Sequence, residues 1–205
     1  MKPNASTRAL VLLPFLLLVG PARQALAQSV TSRWATGAIG GWEGAANWDK
    51  GVPLAGTNVV IGISSNAVVT FSNPVSYAVG RLFMTNTVGG SGTNTLLINT
   101  NGFTTVGATL FNGQIVLNPG GVWTNGSGVA GSGSGASSST LTVNGGTYVQ
   151  TNGSWGSSAA SQTPKMQLYD GLIRISGTGN ASLQLTMTGG VFHMASSGIP
   201  RMMAR

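Results

Sequence analysis

Short apolar runs with alternating polar positions dominate the chain from about residue 57 onwards. Runs such as NVVIGI, TLLINT and STLTVN are apolar at every second position or nearly so, and Gly, Asn and Ser separate each run from the next. A period of two is typical of a β-strand with one buried face, whereas helices repeat their apolar residues three and four positions apart. We find no convincing helical period in this region, so the pattern predicts an all-β fold.

Five of these runs share one plan, in which alternating apolar residues lead to a glycine turn and then to another apolar or aromatic residue. LTVNGGTY and LTMTGGVF are two examples. The repeat glycines stand 19 or 25 residues apart, which is the length of one coil of a β-solenoid. Stacked coils share one core, and residues 57–194 would supply about six or seven of them. The predicted corner glycines are Gly102, Gly121, Gly146, Gly171 and Gly190.

The alternation also predicts which side chains face the core. We expect Leu141, Val143, Leu185 and Met187 to point inward and Thr142 to point outward. At the corners, glycine adopts positive φ without a Cβ clash, and asparagine tolerates it. Asparagines stacked in successive coils would form ladders of side-chain amides.

A β-sandwich is the alternative fold, in which two-residue turns join antiparallel strands. Asn101–Gly102 and Asn144–Gly145 have the sequence of such hairpin turns. The regular spacing of the glycines favours the solenoid. Two Gly/Ser-rich stretches, 124–140 and 151–164, are predicted to be loops that lengthen individual coils.

The first 27 residues have the pattern of a secretory signal peptide. Lys2 and Arg8 precede an apolar run at 9–19, and small residues lead up to Ala27. Eleven apolar residues span only about 16 Å as a helix, too little for a hydrocarbon core of about 30 Å. We predict cleavage after Ala27 and no transmembrane segment in the mature chain.

The chain therefore divides into four predicted parts. The signal peptide at 1–27 precedes a Trp- and Gly-rich N-terminal cap segment at 28–56. The β-solenoid repeats follow at 57–194, and an irregular C-terminal tail occupies 195–205.

Composition narrows the setting and the class of partner. Charged residues make up 6% of the chain and there is no cysteine, so disulfides and thiolate metal sites are excluded. Removal of the signal peptide leaves seven scattered basic residues against three acidic ones. A nucleic-acid site needs clustered cations, so we exclude nucleic acid as the main partner. A neutral surface rich in hydroxyl and amide groups suits an extracellular setting.

The segment that begins at Trp34 and continues with GGWEGAANWDKGVPLAGTNVVIG resembles a recurrent motif of large bacterial exported proteins. These are autotransporter-type passengers with associated β-strand repeats and surface proteins with a C-terminal sorting tail. The later LTVNGGTYVQ and LTMTGGVFHM are similar to their repeats. The matching residues of the motif are Trp42, Asn47, Trp48, Gly51, Pro53 and Gly56.

This resemblance implies a single-stranded, right-handed parallel β-helix that is exported and then displayed or secreted, without enzyme activity. The chain departs from the pattern because it ends in SSGIPRMMAR, with no C-terminal barrel, sorting helix or cell-wall signal. We therefore expect a fragment of a larger exported protein or a short stand-alone relative.

Groups that could carry out catalysis are few. Glu43 and Asp49 directly follow Trp42 and Trp48, and two carboxyl groups about 5–9.5 Å apart are what glycoside hydrolysis requires. Solvated acids or acids that cap backbone amides are the simpler interpretation. Asp170 alone cannot supply the oxygens of a calcium site, and His193 is expected to face outward. We predict no catalytic residue, no metal site and no cofactor.

The tryptophans suggest either a cap or a sugar-binding surface. Trp34, Trp42 and Trp48, with Asn47, Gly51 and Pro53, are predicted to close the open end of the first coil. Trp123, like Tyr148 and Phe192, follows a repeat glycine by two positions, which predicts stacked aromatics at one site in successive coils. Trp155 lies among Gly and Ser residues, so it is the predicted exposed aromatic and the candidate glycan contact.

These patterns favour a secreted or cell-surface structural or adhesive solenoid. Its candidate partners are glycans or other cell-surface components. The alternative is a carbohydrate-binding or carbohydrate-active β-helix protein.

Overall fold

The fold is described from a computed structural model of the chain, which covers residues 30–35, 39–63, 66–85, 93–131, 139–156, 165–177, 182–196 and 201–202. The predicted signal peptide, with its cleavage site after Ala27, lies outside the described residues. So do 132–138 and 157–164, which belong to the two predicted loops, and 197–200 and 203–205 of the predicted tail.

The described residues form an all-β fold with sixteen strands and one single-turn 3-10 helix at Ala45–Asn47. This confirms the prediction of an all-β fold. The strands are β1 (Thr31–Arg33), β2 (Ile39–Gly41), β3 (Asn58–Ile61), β4 (Val68–Phe71), β5 (Tyr77–Met84), β6 (Asn94–Ile98), β7 (Asn101–Leu110), β8 (Gly113–Leu117), β9 (Gly121–Asn125), β10 (Val129–Gly131), β11 (Thr140–Gln150), β12 (Trp155–Gly156), β13 (Lys165–Gly177), β14 (Ser182–Met187), β15 (Val191–Ser196) and β16 (Arg201–Met202).

All pairs between these strands are parallel, and ten strands follow one another in a curled sheet in the order β1-β3-β5-β7-β9-β11-β8-β6-β4-β2. The antiparallel contact among the described residues is an isolated bridge between Trp34 and Trp48. Parallel partners need a crossover rather than a two-residue turn. The antiparallel hairpins of the β-sandwich alternative are therefore wrong: Asn101–Gly102 and Asn144–Gly145 lie inside β7 and β11.

The parallel pairs fall into three stacks. Stack A contains β2, β4, β6, β8, the first parts of β11 and β13, β14 and β16. Stack B contains the first parts of β5 and β7, then β9, the second parts of β11 and β13, and β15. Stack C contains β1, β3, the second parts of β5 and β7, β10 and β12. From β3 to β13 the chain visits stacks C, A and B in repeated order.

The parallel sheet extends beyond the predicted repeat region at both ends. β1 and β2 belong to stacks C and A, although 28–56 was expected to be a cap segment. β15 reaches Ser196 and β16 pairs with β14, so part of 195–205 is strand rather than irregular tail.

Alternation along the strands builds the core between the stacks. Leu141 and Val143 are buried as predicted, and β6, β8 and β9 each alternate buried with half-buried positions. Thr142 aligns with the half-buried Val116 and Gln167, on the face opposite the core as predicted, and is nevertheless buried; its hydroxyl donates to Gln167 Oε1 at 3.2 Å.

In β14, the two side chains that were predicted to face the core are less buried than this prediction requires. Met187, predicted to be buried, is 44% exposed, and Leu185 is only partly buried. Met187 aligns with the buried Leu168 on one side. No described strand continues that column on its other side, so the side chain lacks the second neighbour that would cover it.

Gly121, Gly146, Gly171 and Gly190 occupy successive positions at the corner between stacks A and B, since the residues that follow them align in the strand register. The corner backbones lie close together: a Cβ at Gly171 would stand 2.1 Å from Gly146 O.

Gly102 does not share the alignment of the other four glycines. It pairs with Val122, while Asn101 takes the corner position opposite Gly121 and has φ of 111°. An asparagine thus replaces the glycine at this corner position, because its short polar side chain tolerates positive φ. At the same corner Asn118 Nδ2 donates to Asn99 Oδ1 at 2.6 Å, which is one step of the expected amide ladder.

Candidate functional site

The tryptophans of the N-terminal motif form one buried cluster. Trp34, Trp42 and Trp48 are 3%, 0% and 4% exposed. The Trp48 ring lies edge-on to the other two, with centroids 5.0 Å from Trp34 and 4.8 Å from Trp42. Trp48 Nε1 donates to Trp42 O at 2.7 Å. The cluster offers no open indole face for a sugar ring to stack on.

Trp42 connects this cluster to the core. Its ring stacks on Phe71 at 4.5 Å and meets Phe103 edge-on at 5.3 Å. Trp42 Nε1 is buried without a hydrogen-bond partner. The side chain therefore contributes through apolar packing.

Asp49 covers the outer edge of β1. Its Oδ1 accepts from Arg33 N at 2.7 Å, and its own N donates to Arg33 O at 3.0 Å. Ala35 N donates to Asn47 O at 2.8 Å in the same two-stranded arrangement. An edge strand otherwise presents unpaired groups that recruit other chains. The segment that contains Asp49 supplies hydrogen-bond partners for these backbone groups from within the same chain.

Glu43 holds a different part of the backbone. Its Oε1 accepts from Ser72 N and Asn73 N, both at 3.2 Å, at the turn that follows β4. The Tyr77 phenol lies in the field of this carboxylate, and its pKa is raised by burial first and by Glu43 second. The two acids that suggested a catalytic pair thus each bind backbone amides, in separate places.

The remaining motif residues also make structural contacts. Asn47 Nδ2 donates to Gly41 O at 2.8 Å, at the end of β2. Gly51 has φ of 73° and its carbonyl accepts from the Ser32 hydroxyl at 3.2 Å. Pro53 is buried. These contacts hold segment 47–53 against the first two strands.

One aromatic column runs through stack B. Tyr77, Phe103, Trp123 and Tyr148 align in successive strands, and Phe192 aligns with them after Ile173. Trp123 and Tyr148 lie 4.8 Å apart between ring centroids.

Trp155 joins this column from stack C, and its predicted exposure is wrong. It forms β12, pairs with Val129, is 0% exposed and meets Tyr148 edge-on at 5.6 Å. Its Gly- and Ser-rich surroundings resemble a loop, but the register carries the side chain into the core. The residue is therefore unavailable as a glycan contact.

A buried polar column lies beside the aromatic one. Thr105, Asn125 and Gln150 align in successive strands and are at most 1% exposed. Thr105 Oγ1 donates to Asn125 Oδ1 at 2.9 Å, and Trp123 Nε1 donates to Thr105 Oγ1 at 3.1 Å.

Three further hydrogen bonds complete the buried polar column. Tyr148 donates its hydroxyl to Gln150 Oε1 at 2.9 Å, and Gln150 Nε2 donates to Gly153 O at 3.0 Å. Asn125 Nδ2 donates to Ser127 O. Buried polar groups that find such partners fix one register, because a shifted strand would leave them unsatisfied.

The alternation of polar and apolar residues does not predict this column. It assigns polar residues on a strand to the outward face, yet these three stand two positions after an inward aromatic residue. The recurring pattern of an aromatic, any residue and a polar residue, in Phe103–Thr105, Trp123–Asn125 and Tyr148–Gln150, is the signal that would have found it.

We expect Asn125→Ala to lower the free energy of unfolding by about 1–3 kcal/mol, because the hydroxyl of Thr105 and the carbonyl of Ser127 lose their buried partner. Urea unfolding measures the change. The matched control is Asn144→Ala, at an exposed position, which should change stability by less than about 0.5 kcal/mol. Equal effects of the two substitutions would contradict the role of the polar column.

Stability should fall in alkaline solution through Tyr148. Burial raises the pKa of its phenol well above its ordinary value, and hydrogen bonding to Asn125 offsets only part of this. A raised pKa in the folded state means that stability is complete below about pH 10 and declines above it, by about 1.4 kcal/mol per pH unit. Tyr148→Phe should make this decline shallower in urea titrations at several pH values. An unchanged slope would show that Tyr148 does not titrate on unfolding.

The other titratable residues of interest lie apart. Asp170 is exposed and its Oδ1 accepts from Gly171 N at 2.7 Å. His193 is exposed and aligns with Arg174. Within the described ranges, no three His, Cys, Asp or Glu side chains come together as a metal site.

Across the same part of the chain, no helix is both long and apolar enough to cross a membrane. Comparisons with protein-family models, with curated proteins and with solved structures found no match.

Proposed function

We propose that the chain is a right-handed parallel β-helix of a secreted or cell-surface protein, with a structural or adhesive role. The repeated order of stacks C, A and B supports the helical winding, because each circuit adds one parallel strand to every stack. The sequence motif that resembles exported passengers supports the location.

The structural role is supported by one observation: the polar side chains singled out above form hydrogen bonds within the chain itself. Glu43 and Asp49 bind backbone amides, and Thr105, Asn125 and Gln150 bind one another or the chain. Side chains that would serve as catalytic or binding groups in an enzyme act here to hold layers together. A stiff repeated scaffold follows from such contacts.

Outward-facing side chains repeat from strand to strand, and this repetition suits an adhesive role. Ala78, Thr104, Thr124, Val149 and Arg174 align in one outward column of stack B. Neighbouring members stand about 4.8 Å apart, the spacing of paired strands. Weak contacts to a repetitive glycan or cell-surface polymer would sum along such a column through multivalency.

Export is tested first. When the full chain is produced in a bacterium, we expect it outside the cytoplasm with Gln28 as its first residue, as N-terminal sequencing would show. A chain recovered in the cytoplasm with the leader intact would contradict the location.

Adhesion is tested with beads that carry the mature chain. We expect them to be retained on glycan- or cell-coated surfaces under flow, more strongly as the density of chains rises. Beads that carry Trp42→Ala, which removes the packing of the first coil, are the matched control. Equal retention of both beads, or none by either, would contradict the adhesive role.

The alternative function is carbohydrate binding or cleavage. Trp155 no longer supports it, but Tyr169 is 46% exposed and presents an aromatic ring at the surface. Loss of glycan binding in Tyr169→Ala would favour a lectin-like module. Loss of polysaccharide cleavage in the triple variant Glu43→Gln, Asp49→Asn, Asp170→Asn, with the fold intact, would favour an enzyme.

A further inference from the structure

The tetrapeptide Thr-Asn-Gly-Ser occurs twice, at 124–127 and 151–154, and the two copies lie in very different surroundings. An Asn-Gly peptide is prone to spontaneous rearrangement, because glycine offers no side chain that blocks attack by its nitrogen on the amide. The two copies therefore form a natural pair in which the local sequence is the same and the structure differs.

The first copy is locked. Asn125 is 0% exposed, its Oδ1 accepts from Thr105 Oγ1 at 2.9 Å and its Nδ2 donates to Ser127 O. Gly126 N, the atom that would attack, donates to Thr105 O at 2.8 Å. The Asn125 side-chain amide and the Gly126 nitrogen are each bound to other groups by hydrogen bonds, which keep the two apart.

The second copy is arranged for reaction. Asn152 is exposed, and Gly153 N donates to Asn152 Oδ1 at 2.7 Å. This contact places the attacking nitrogen beside the Cγ that carries the oxygen. Solvent has access to the site and can remove the proton from the nitrogen.

We propose that Asn152–Gly153 is a site of spontaneous deamidation and isomerisation in the folded protein. The Gly153 nitrogen loses its proton to solvent base and bonds to Asn152 Cγ, and the bond from Cγ to Nδ2 breaks to release ammonia. The resulting five-membered imide is opened by water at either carbonyl, which gives aspartate or isoaspartate. Water is the only co-reactant, so no enzyme or oxidant is required.

The isoaspartate product loosens the layer that contains Trp155. Isoaspartate inserts one methylene into the main chain between residues 152 and 153. Gly153 packs directly against Gly128, since a Cβ at Gly153 would stand 2.2 Å from Gly128 N, and the longer main chain would disturb this contact. The same turn aligns β12, because Val129 N donates to Ser154 O at 2.9 Å. Displacement of this turn would also break the bond from Gln150 Nε2 to Gly153 O.

Peptide mapping by mass spectrometry with isoaspartate detection tests the proposal. The mature chain is incubated at mildly alkaline pH, both folded and in denaturant. We expect Asn152 to convert at least about tenfold faster than Asn125 in the folded chain, because Asn125 reacts only after local opening. In denaturant the two rates should become similar. Equal rates in the folded chain would overturn the proposal.

Asn152→Gln is the matched variant, because the longer side chain disfavours ring closure and keeps the amide. We expect the tryptophan emission of the parent chain to shift to longer wavelength as isoaspartate accumulates, and that of the variant to stay constant. If the converted parent kept its original emission and protease resistance, the loosening of the Trp155 layer would be refuted. A shift of equal size in the variant would refute its link to Asn152.

Discussion

Replacing Trp42 with alanine is expected to lower the free energy of unfolding by about 3–5 kcal/mol, enough to unfold a marginally stable domain. The indole is 0% exposed and contacts Trp48, Phe71 and Phe103. Its removal leaves a cavity where the N-terminal tryptophan cluster meets the aromatic column. Equilibrium urea unfolding, followed by far-ultraviolet circular dichroism, measures the loss.

Trp42→Phe is the matched control for this prediction. It keeps one aromatic ring in the stack and removes the rest of the indole, whose Nε1 has no partner, so the cavity is smaller and we expect a loss below about 2 kcal/mol. If the alanine variant were as stable as the phenylalanine variant, Trp42 would not be the residue that joins the N-terminal cluster to the core.

The second large effect is expected at a corner glycine. Gly171→Ala should cost about 3 kcal/mol or more, because its φ of 97° disfavours a side chain and the new Cβ would meet Gly146 O at 2.1 Å. Thermal and urea unfolding would both show the loss.

Gly51→Ala separates the two causes. Gly51 has φ of 73°, but nothing lies within 4 Å of the position that its Cβ would take. This variant should lose only the backbone share, about 1 kcal/mol. Equal losses at the two positions would mean that close stacking of the corners does not matter.

The burial of a strand residue could be predicted from the sequence wherever buried apolar residues align with it in the layer before and in the layer after. Leu141 and Val143 follow this rule, since each aligns with buried apolar residues in the layers before and after. Met187 does not follow this rule. Alternation indicates which way a side chain points, but not whether a neighbouring strand covers it.

The polar column and Trp155 could not be predicted for a related reason. A threonine, asparagine or glutamine on a strand has the same sequence pattern whether it faces water or pairs with its neighbour in the next layer. Thr105, Asn125 and Gln150 are buried because the parallel strands β7, β9 and β11 place them in register. Trp155 is buried because β12 joins stack C, a contact that its glycine and serine neighbours do not indicate.

The sequence was sufficient to identify the motif residues but not to assign their roles. Trp42 and Trp48 stood out by type and spacing, and Glu43 and Asp49 by their scarcity. The partners of the two acids come from β1 and from the turn after β4, distant in sequence, so only the fold distinguishes an amide cap from a catalytic pair.

Distances between spin labels along stack B test the layered winding most directly. The chain has no cysteine, so cysteines introduced in pairs chosen from Ala78, Thr104, Arg174 and His193 carry the only labels, and all four positions are exposed. Ala78 and Arg174 are four layers apart, as are Thr104 and His193, so both pairs should give about 19 Å. Ala78 and His193 should give about 24 Å, one strand spacing more. Unequal distances for the first two pairs, or no increase for the third, would contradict the stacked parallel coil.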